Sequence, residues 1–392
     1  MLNKMLNENL LKLDKETAFS VLTRAGELEK AGFSIVNLGI GQPDFSTPAH
    51  IVEAGIKALK DGAHGYTPSM GLVSLREAVF KDLTERYGYC PPISQIQITP
   101  GGKPVIFMAA MIYGGREKEI ILPDPSFPIY TSSVAYSGAT PVTYGLNEEN
   151  GFAFNADEIL SKITSRTSMI MINSPHNPTG GITPASEISK LVDGLISYPD
   201  ITLFSDEIYD RLVFETPPHS LLSYPEILDR LIVLNGWSKT YAMTGWRIGF
   251  GIWPKQSVEF ADKIGVNYHS CVNAATQYAA LAATSGDQGC VENMRIIFKR
   301  RAKLITEKLN NITGINCQLP GGAFYAFPNI TGLGLASDDI QTILLEDYGV
   351  AGLAGTAFGH NGEGYLRLSS ANSDDSIIKA CTMIEQLANN HA

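Results

Sequence analysis

The chain has 392 residues, 44% of them hydrophobic and 18% charged, and a formal net charge of −10. That length can bury a large core and suggests two domains, or one large domain with an appendage. The acidic balance argues against nonspecific binding to nucleic acid or to an anionic membrane, though a few fixed arginines can still hold one small anion.

In chain order, Lys15 to Ala31 reads as a helix stopped by Gly32. Ser34 to Asp44 is a short strand that breaks into a Gly/Pro loop, and Ile51 to Leu59 is a helix ended by Asp61-Gly62. A second loop, Gly65-Tyr66-Thr67-Pro68, precedes a helix from Leu72 to Tyr87. Strand and helix signals then alternate. Ile96 to Thr99 is a strand running into Gly101-Gly102, with a helix through Tyr113. Glu119 to Leu122 is a strand ending at Pro123-Asp124-Pro125, and 167–173, 201–204, 231–234 and 248–253 are further short apolar strands. Buried strands separated by helices imply a largely parallel sheet covered on both faces, in an order the sequence does not disclose. Helices follow at 258–264, 273–283 and 290–310. The last third, with a helix over 337–347 and a strand over 364–369, reads as a smaller α+β domain. The first 14 residues lack the apolar core of a signal peptide, and no run reaches about 18 apolar residues. Five scattered cysteines without a CxxC pair argue against a disulfide framework or a zinc site, so a reducing cytoplasm is expected.

The chemistry-bearing residues fall at the carboxyl ends of these strands, the edge at which open α/β sheets bind ligands. Asn235 to Arg247 places Lys239 in a Gly/Ser-rich, nearly uncharged segment with Arg247 eight residues later. A solvated lysine is the ordinary case; a lysine in such surroundings suits Schiff-base chemistry. Gly101-Gly102-Lys103 lies between a strand and a helix and can expose backbone N–H groups to an anion, although a plain tight turn reads the same way. It is not a dinucleotide fingerprint, because GxGxxG is absent. Asp206 emerges from an apolar strand in Asp206-Glu207-Ile208-Tyr209 and needs a partner, either a protein cation, a helix cap or a protonated ring nitrogen. Asn177-Pro178 can fix an amide in a rigid loop. Phe127, between two prolines, can stack on a planar ring or fill the core. Arg367, inside an apolar strand, calls for a carboxylate from the protein or a substrate.

Taken together and in this order, these segments resemble the aspartate aminotransferase-like, class I, fold-type I family of pyridoxal-phosphate enzymes. The resemblance runs from Leu38 to Ser370 and is carried by Ser238-Lys239, Gly245-Trp246-Arg247-x-Gly249, Asp206-Glu207-x-Tyr209 and Asn177-Pro178-Thr179-Gly180. It implies an α/β fold with a mostly parallel central sheet flanked by helices. Residues 1–48 would be an N-terminal arm and part of the small domain, 49–290 the large cofactor-binding domain and 291–392 the small C-terminal domain. It implies pyridoxal 5′-phosphate as cofactor, Lys239 as Schiff-base lysine and catalytic base, and Asp206 as partner of the pyridine nitrogen. Tyr209 and Asn177 would donate to the ring 3′ oxygen, Phe127 would stack on the ring, and Ser238, Arg247 and the Gly102-Lys103 backbone would cradle the phosphate. Relatives often carry Trp or Tyr at the position of Phe127, and some carry a phosphate-binding serine at that of Gly236. Arg367 would clamp the substrate α-carboxylate, with Asn177 and Gly41 lining the same pocket. Tyr66 would reach the phosphate of a neighbouring subunit, which implies a homodimer.

The activity implied is transfer of an amino group from an L-amino acid to a 2-oxo acid by a ping-pong mechanism. The stretch from Gly265 to Thr276 offers no arginine for a side-chain carboxylate, and Lys103 is expected to start the phosphate-side helix rather than serve as that clamp, which favours neutral or aromatic substrates with glutamate as a shared donor. Two other readings remain: a lyase on the same fold, told apart by pyruvate and ammonia formed without an acceptor, and a non-catalytic binder of the cofactor or an amino acid. No nucleic-acid or membrane partner is expected. The loop over 34–45 and the C-terminal domain are expected to close over substrate.

Overall fold

The computed structural model describes residues 7–13, 16–215 and 219–391. The N-terminal residues 1–6 and Lys15, which the sequence reading includes in its first helix, lie outside them. In chain order the main elements are α1 (Thr17–Lys30), β1 (Val36–Asn37), α2 (Ala49–Lys60), α3 (Val73–Tyr87), β2 (Ile96–Thr99), α4 (Lys103–Tyr113), β3 (Glu119–Asp124), α5 (Ile129–Ser137), β4 (Thr140–Gly145), α6 (Ala156–Ser161), β5 (Thr167–Asn173), α7 (Ala185–Leu195), β6 (Thr202–Asp206), β7 (Leu231–Gly236) and β8 (Gly249–Ile252). There follow α8 (Val258–His269), α9 (Ala274–Ser285), α10 (Gly289–Asn310), β9 (Tyr325–Ala326), α11 (Ser337–Glu346), β10 (Val350–Ala351), β11 (Leu353–Ala354), β12 (Leu366–Ser369) and α12 (Asp374–His391).

Seven strands form one sheet in the order β2-β8-β7-β6-β5-β3-β4, parallel except for β8, which runs antiparallel to both neighbours. Alternate residues of the central strands feed opposite faces. Ile170 and Ile172 of β5 join one apolar cluster with Ile121, Leu191 and Val233. Met169 and Met171 join the other with Ile120, Leu122, Phe204 and the α4 residues Val105, Ile106 and Ala109. A strand buried on both faces reads as a continuous apolar run, and these were the strands legible in the sequence.

The reversal of β8 matters for the site. Its first residue, Gly249, pairs with Gly236 at the end of β7 and with Thr99 at the end of β2. Arg247, just ahead of β8, is thereby delivered to the same sheet edge as the carboxyl ends of the parallel strands. The approach is tight. A Cβ on Gly236 would lie 2.8 Å from Gly249 Cα, and one on Gly249 would lie 2.8 Å from the Gly101 carbonyl carbon. A serine at position 236 would need the strands to part.

A separate apolar cluster joins α10, α12 and α11 through Ile305, Leu309, Ile340, Leu344, Ile377, Ile384 and Leu387. Val36 and Leu38 pack into it, because β1 pairs in parallel with β10. The segment from Val36 to Leu38 is thus built into the layer formed by α10, α11 and α12. The antiparallel strands β11, β12 and β9 carry Arg367 beside Tyr325. No described helix is long and apolar enough to cross a membrane.

Candidate active site

A cleft of about 500 Å³ opens at the carboxyl edge of the large sheet. Asp206 closes β6, Asn173 closes β5, and Lys239 lies in the turn after β7. Gly41 and Gln42, from the loop after β1, and Arg367 and Tyr325, from the small antiparallel sheet, complete the cleft.

Lys239 is half-buried and its Nζ donates to the Gly41 carbonyl oxygen. Burial pushes its amine down to about 7, helped by the positive charges of Arg367, Arg247 and Lys103 and opposed by Asp206. A lysine so placed is largely uncharged just above neutral pH and can act as nucleophile or base. Asp206 is buried and pushed up to about 6 by the loss of water. The Tyr130 hydroxyl, donating at 2.6 Å, and the Ile208 N–H, at 3.1 Å, hold it back from rising further. The adjacent Glu207 points elsewhere: its Oε1 accepts from the Ser205 hydroxyl and the Leu221 N–H, which fastens the turn at 220–221.

Arg367 is 4% exposed. Its Nη1 donates to Asn177 Oδ1 at 3.0 Å and its Nη2 to the Gly39 carbonyl at 2.6 Å, and its Nε is buried without a partner. The guanidinium carbon lies 4.5 Å from the Tyr325 ring centroid and 4.7 Å from that of Phe358. Among the described residues no carboxylate forms an ion pair with it. Burying an ion without a counter-charge costs several kcal/mol, so the site is arranged for an anion that arrives from outside. The clamp is braced around it. Asn173 Oδ1 accepts from the Asn177 N–H at 3.0 Å, and the Tyr325 and Tyr209 hydroxyls are 2.8 Å apart. Gly41 has no room for a side chain, since a Cβ there would lie 2.3 Å from the Tyr325 hydroxyl.

At the other end, Gly101 (φ +87°) turns the chain from β2 into α4, whose first backbone N–H groups have no side-chain cap. A Cβ on Gly101 would lie 2.3 Å from Arg247 Nη2. Glycine therefore lets a guanidinium sit directly on the helix entrance, beside Ser238 and Gly102 in the cleft wall. Arg247 itself is in the left-handed region (φ 52°) and donates to the Thr244 carbonyl at 2.8 Å. Free N–H groups, a helix dipole and a cation together make an anion site. Phe127 lines the cleft with its ring edge-on to Tyr130 at 5.9 Å.

Residues 34–384 match the model of the family described as aminotransferase class I and II. The chain is 36% identical over 384 residues to an aspartate aminotransferase of Pyrococcus horikoshii, covering 97% of this chain and 96% of that one. It is 35% identical to an aromatic-amino-acid aminotransferase of Thermococcus litoralis over 90% of this chain and 91% of the other. Its fold superposes on a crystal structure of the aspartate aminotransferase from Rhizobium meliloti with a TM-score of 0.94 at 28% identity, over 99% of both chains. The chain belongs to the class I and II aminotransferase family. It is an enzyme that works on amino acid and oxo acid substrates, and its fold is the fold-type I α/β architecture expected from the sequence.

Of the residues singled out in the sequence, eleven line this aminotransferase's cleft: Gly41, Gly102, Lys103, Phe127, Asn177, Asp206, Tyr209, Ser238, Lys239, Arg247 and Arg367. Tyr66 does not. It is 93% exposed and outside the cleft of its own chain. The arginine-free stretch 265–276 also lies outside that cleft. Sequence reasoning missed Tyr130, Tyr325 and Asn173, each in direct contact with a predicted residue. Tyr130 follows Phe127 by three residues in a turn, and Tyr325 sits in the Gly321-to-Phe327 run; both look like core aromatics without their partners in view. It also missed Glu16, at the start of α1, which pairs with Lys103.

Proposed function

We propose that the protein is a cytoplasmic, pyridoxal 5′-phosphate-dependent aminotransferase that moves the amino group of a neutral, aromatic or acidic L-amino acid to a 2-oxo acid by a ping-pong mechanism. The observation that carries this reading is a lysine whose amine is pushed down to about 7, in the same cleft as a buried arginine that pairs with no carboxylate among the described residues. The donor set fits the cofactor. Gly101 leaves the entrance of α4 open beside Arg247, and Asp206 is a buried acid able to accept from a ring nitrogen. The cofactor, once bound, supplies an electron sink for the charge left when a substrate Cα proton is removed. The chain supplies orientation and proton transfer. Ser238, Arg247 and the N–H groups at Gly102-Lys103 would hold the phosphate, and Phe127 would face the ring. Asp206, ionised above about pH 6, would keep the ring nitrogen protonated. Tyr209 and Asn177 would donate to the 3′ oxygen. Arg367, with Asn177 and Gly41, would orient the α-carboxylate so that the Cα proton faces Lys239 Nζ, which takes it up and returns it.

In this reading Tyr66 serves the phosphate of a second subunit, so the enzyme is a homodimer; a monomer in sedimentation at micromolar concentration would end that part. Residues 1–48, 49–290 and 291–392 act as arm with part of the small domain, large domain and small domain, and the small domain closes over substrate. Hydrogen exchange unchanged by substrate across 34–45 and 350–370 would count against closure. The main test is to load the protein with pyridoxal 5′-phosphate and mix it with each of the twenty amino acids. The cofactor's visible absorbance should be depleted by the preferred donors and restored by a 2-oxo acid. Pyruvate and ammonia without an acceptor would mark a lyase, and a spectral change with no product would mark a binder.

A further inference from the structure

Glu16 precedes α1 in the N-cap position, yet its side chain makes no capping bond. An acid there ordinarily serves the free N–H groups of the first turn. Here the carboxylate is ion-paired with Lys103 Nζ, at the start of α4. The ammonium also lies 5.6 Å from the Phe19 ring centroid and 5.4 Å from that of Phe127. Its side chain is 38% exposed and that of Glu16 17%, so the pair is partly shielded from water. Both residues line the catalytic cleft, and both also line a second opening of about 610 Å³, walled by Phe19, Thr23, Pro128 and Ile129. The ion pair therefore stands between the two spaces.

The charges in the cleft can be assigned, on the reading of function above. Arg367 takes the α-carboxylate, Arg247 the phosphate, Asp206 the ring nitrogen, and Lys239 the reacting proton. Among the described lining residues this leaves one cation, Lys103, for an anionic substrate side chain. We propose that Glu16 sets the side-chain specificity of this aminotransferase: by holding Lys103 it closes that cationic subsite to side-chain carboxylates and leaves a neutral wall, faced by Phe19 and Phe127, for apolar and aromatic side chains. A dicarboxylic substrate must displace Glu16 or sit beside it, and like charges in a partly shielded site repel strongly. The pair is within electrostatic reach of the reacting centre. Lys103 lowers the proton affinity of Lys239, and the Glu16 charge favours the protonated forms of Arg367 and Tyr325.

The test compares the loaded wild type with Glu16→Gln and Glu16→Asp. Two unreactive carboxylates, succinate and 3-phenylpropionate, are titrated by calorimetry, and kcat/KM is measured for L-aspartate and L-phenylalanine. The wild type should favour the phenyl member of each pair. Glu16→Gln should move both ratios toward the dicarboxylate by at least about tenfold, and Glu16→Asp should keep the phenyl preference. Equal thermal midpoints show that the fold is intact. Ratios unmoved in Glu16→Gln, or a wild type that already prefers aspartate, overturn the proposal. If no amino acid reacts with the wild type, the reading of function falls, and the two titrations still judge Glu16 alone.

Discussion

Replacing Arg367 by methionine separates a substrate clamp from a structural ion. The buried guanidinium carries a desolvation cost of several kcal/mol. Against it stand two hydrogen bonds, to Asn177 and Gly39, and two aromatic faces at 4.5 and 4.7 Å. Charge-assisted hydrogen bonds contribute about 1.5–3 kcal/mol each, and each desolvated cation–π contact up to about 2 kcal/mol. The terms are of opposite sign and similar size, so the cofactor-free Arg367→Met protein should change in unfolding free energy by no more than about 2 kcal/mol. The effect on substrate has nothing to offset it. Losing the partner of a desolvated carboxylate costs about 2–5 kcal/mol, so kcat/KM should fall between about 30-fold and several thousandfold. Arg367→Lys keeps the charge but not the planar fork, and should fall between the two. Urea unfolding of the cofactor-free proteins and single-turnover spectra of the loaded ones give both numbers. A stability loss above about 4 kcal/mol with kcat/KM of the folded fraction unchanged would refute the clamp.

Tyr130→Phe removes the 2.6 Å donor to Asp206 and lets that carboxyl rise above about 6. The acid limb of the amino-acid half-reaction should move up by about one pH unit, and an unmoved limb would count against Asp206 as the group that must be ionised. Burial pushes Glu207 from 4.5 up to about 7, so the folded protein keeps a proton that the unfolded chain has already released. Its contribution is present below pH 4.5 and is lost as pH rises toward 7, at a slope of at most about 1.4 kcal/mol per pH unit. Glu207→Gln should flatten that decline in urea midpoints, leaving the similar contribution of Asp206 between 3.8 and about 6; parallel profiles would contradict this. Gly101→Ala places a Cβ against Arg247 Nη2 at a φ of +87°. Spectrophotometric titration should show cofactor affinity lowered by about tenfold or more, and unchanged affinity would remove Arg247 from the phosphate site.

Six strands of the large sheet were legible because they are buried on both faces and stand out as apolar runs between Gly/Pro turns; the edge strand β4, largely uncovered along Thr140 to Thr143, was not read. The chemistry was legible because its residues share short segments with unusual composition, as around Lys239. Strand order was not legible, nor was the reversal of β8, since both depend on pairings distant in sequence. The two-residue strands β9, β10 and β11 have no periodicity to read, whereas β1 falls within the short strand expected from Ser34 onward. α5, with Thr, Ser and Val through its middle, has weak intrinsic helix preference and is held by packing of Tyr130 and Val134. α12 is a different case. Ile377, Ala380, Cys381, Ile384 and Leu387 recur at helical spacing and all are buried, a pattern present in the sequence but not among the elements read from it. Tyr130, Tyr325 and Glu16 matter through what they touch, and their partners lie 76, 116 and 87 residues away.

The proposed chemistry turns on one amine reacting with an aldehyde cofactor. Borohydride reduction of the protein loaded with pyridoxal 5′-phosphate, followed by mass spectrometry of its peptides, reads that bond directly. A pyridoxyl phosphate mass on Lys239, absent when an amino acid donor is added before reduction, is the predicted result. Label spread over surface lysines, or none on the peptide that contains Lys239, would contradict it.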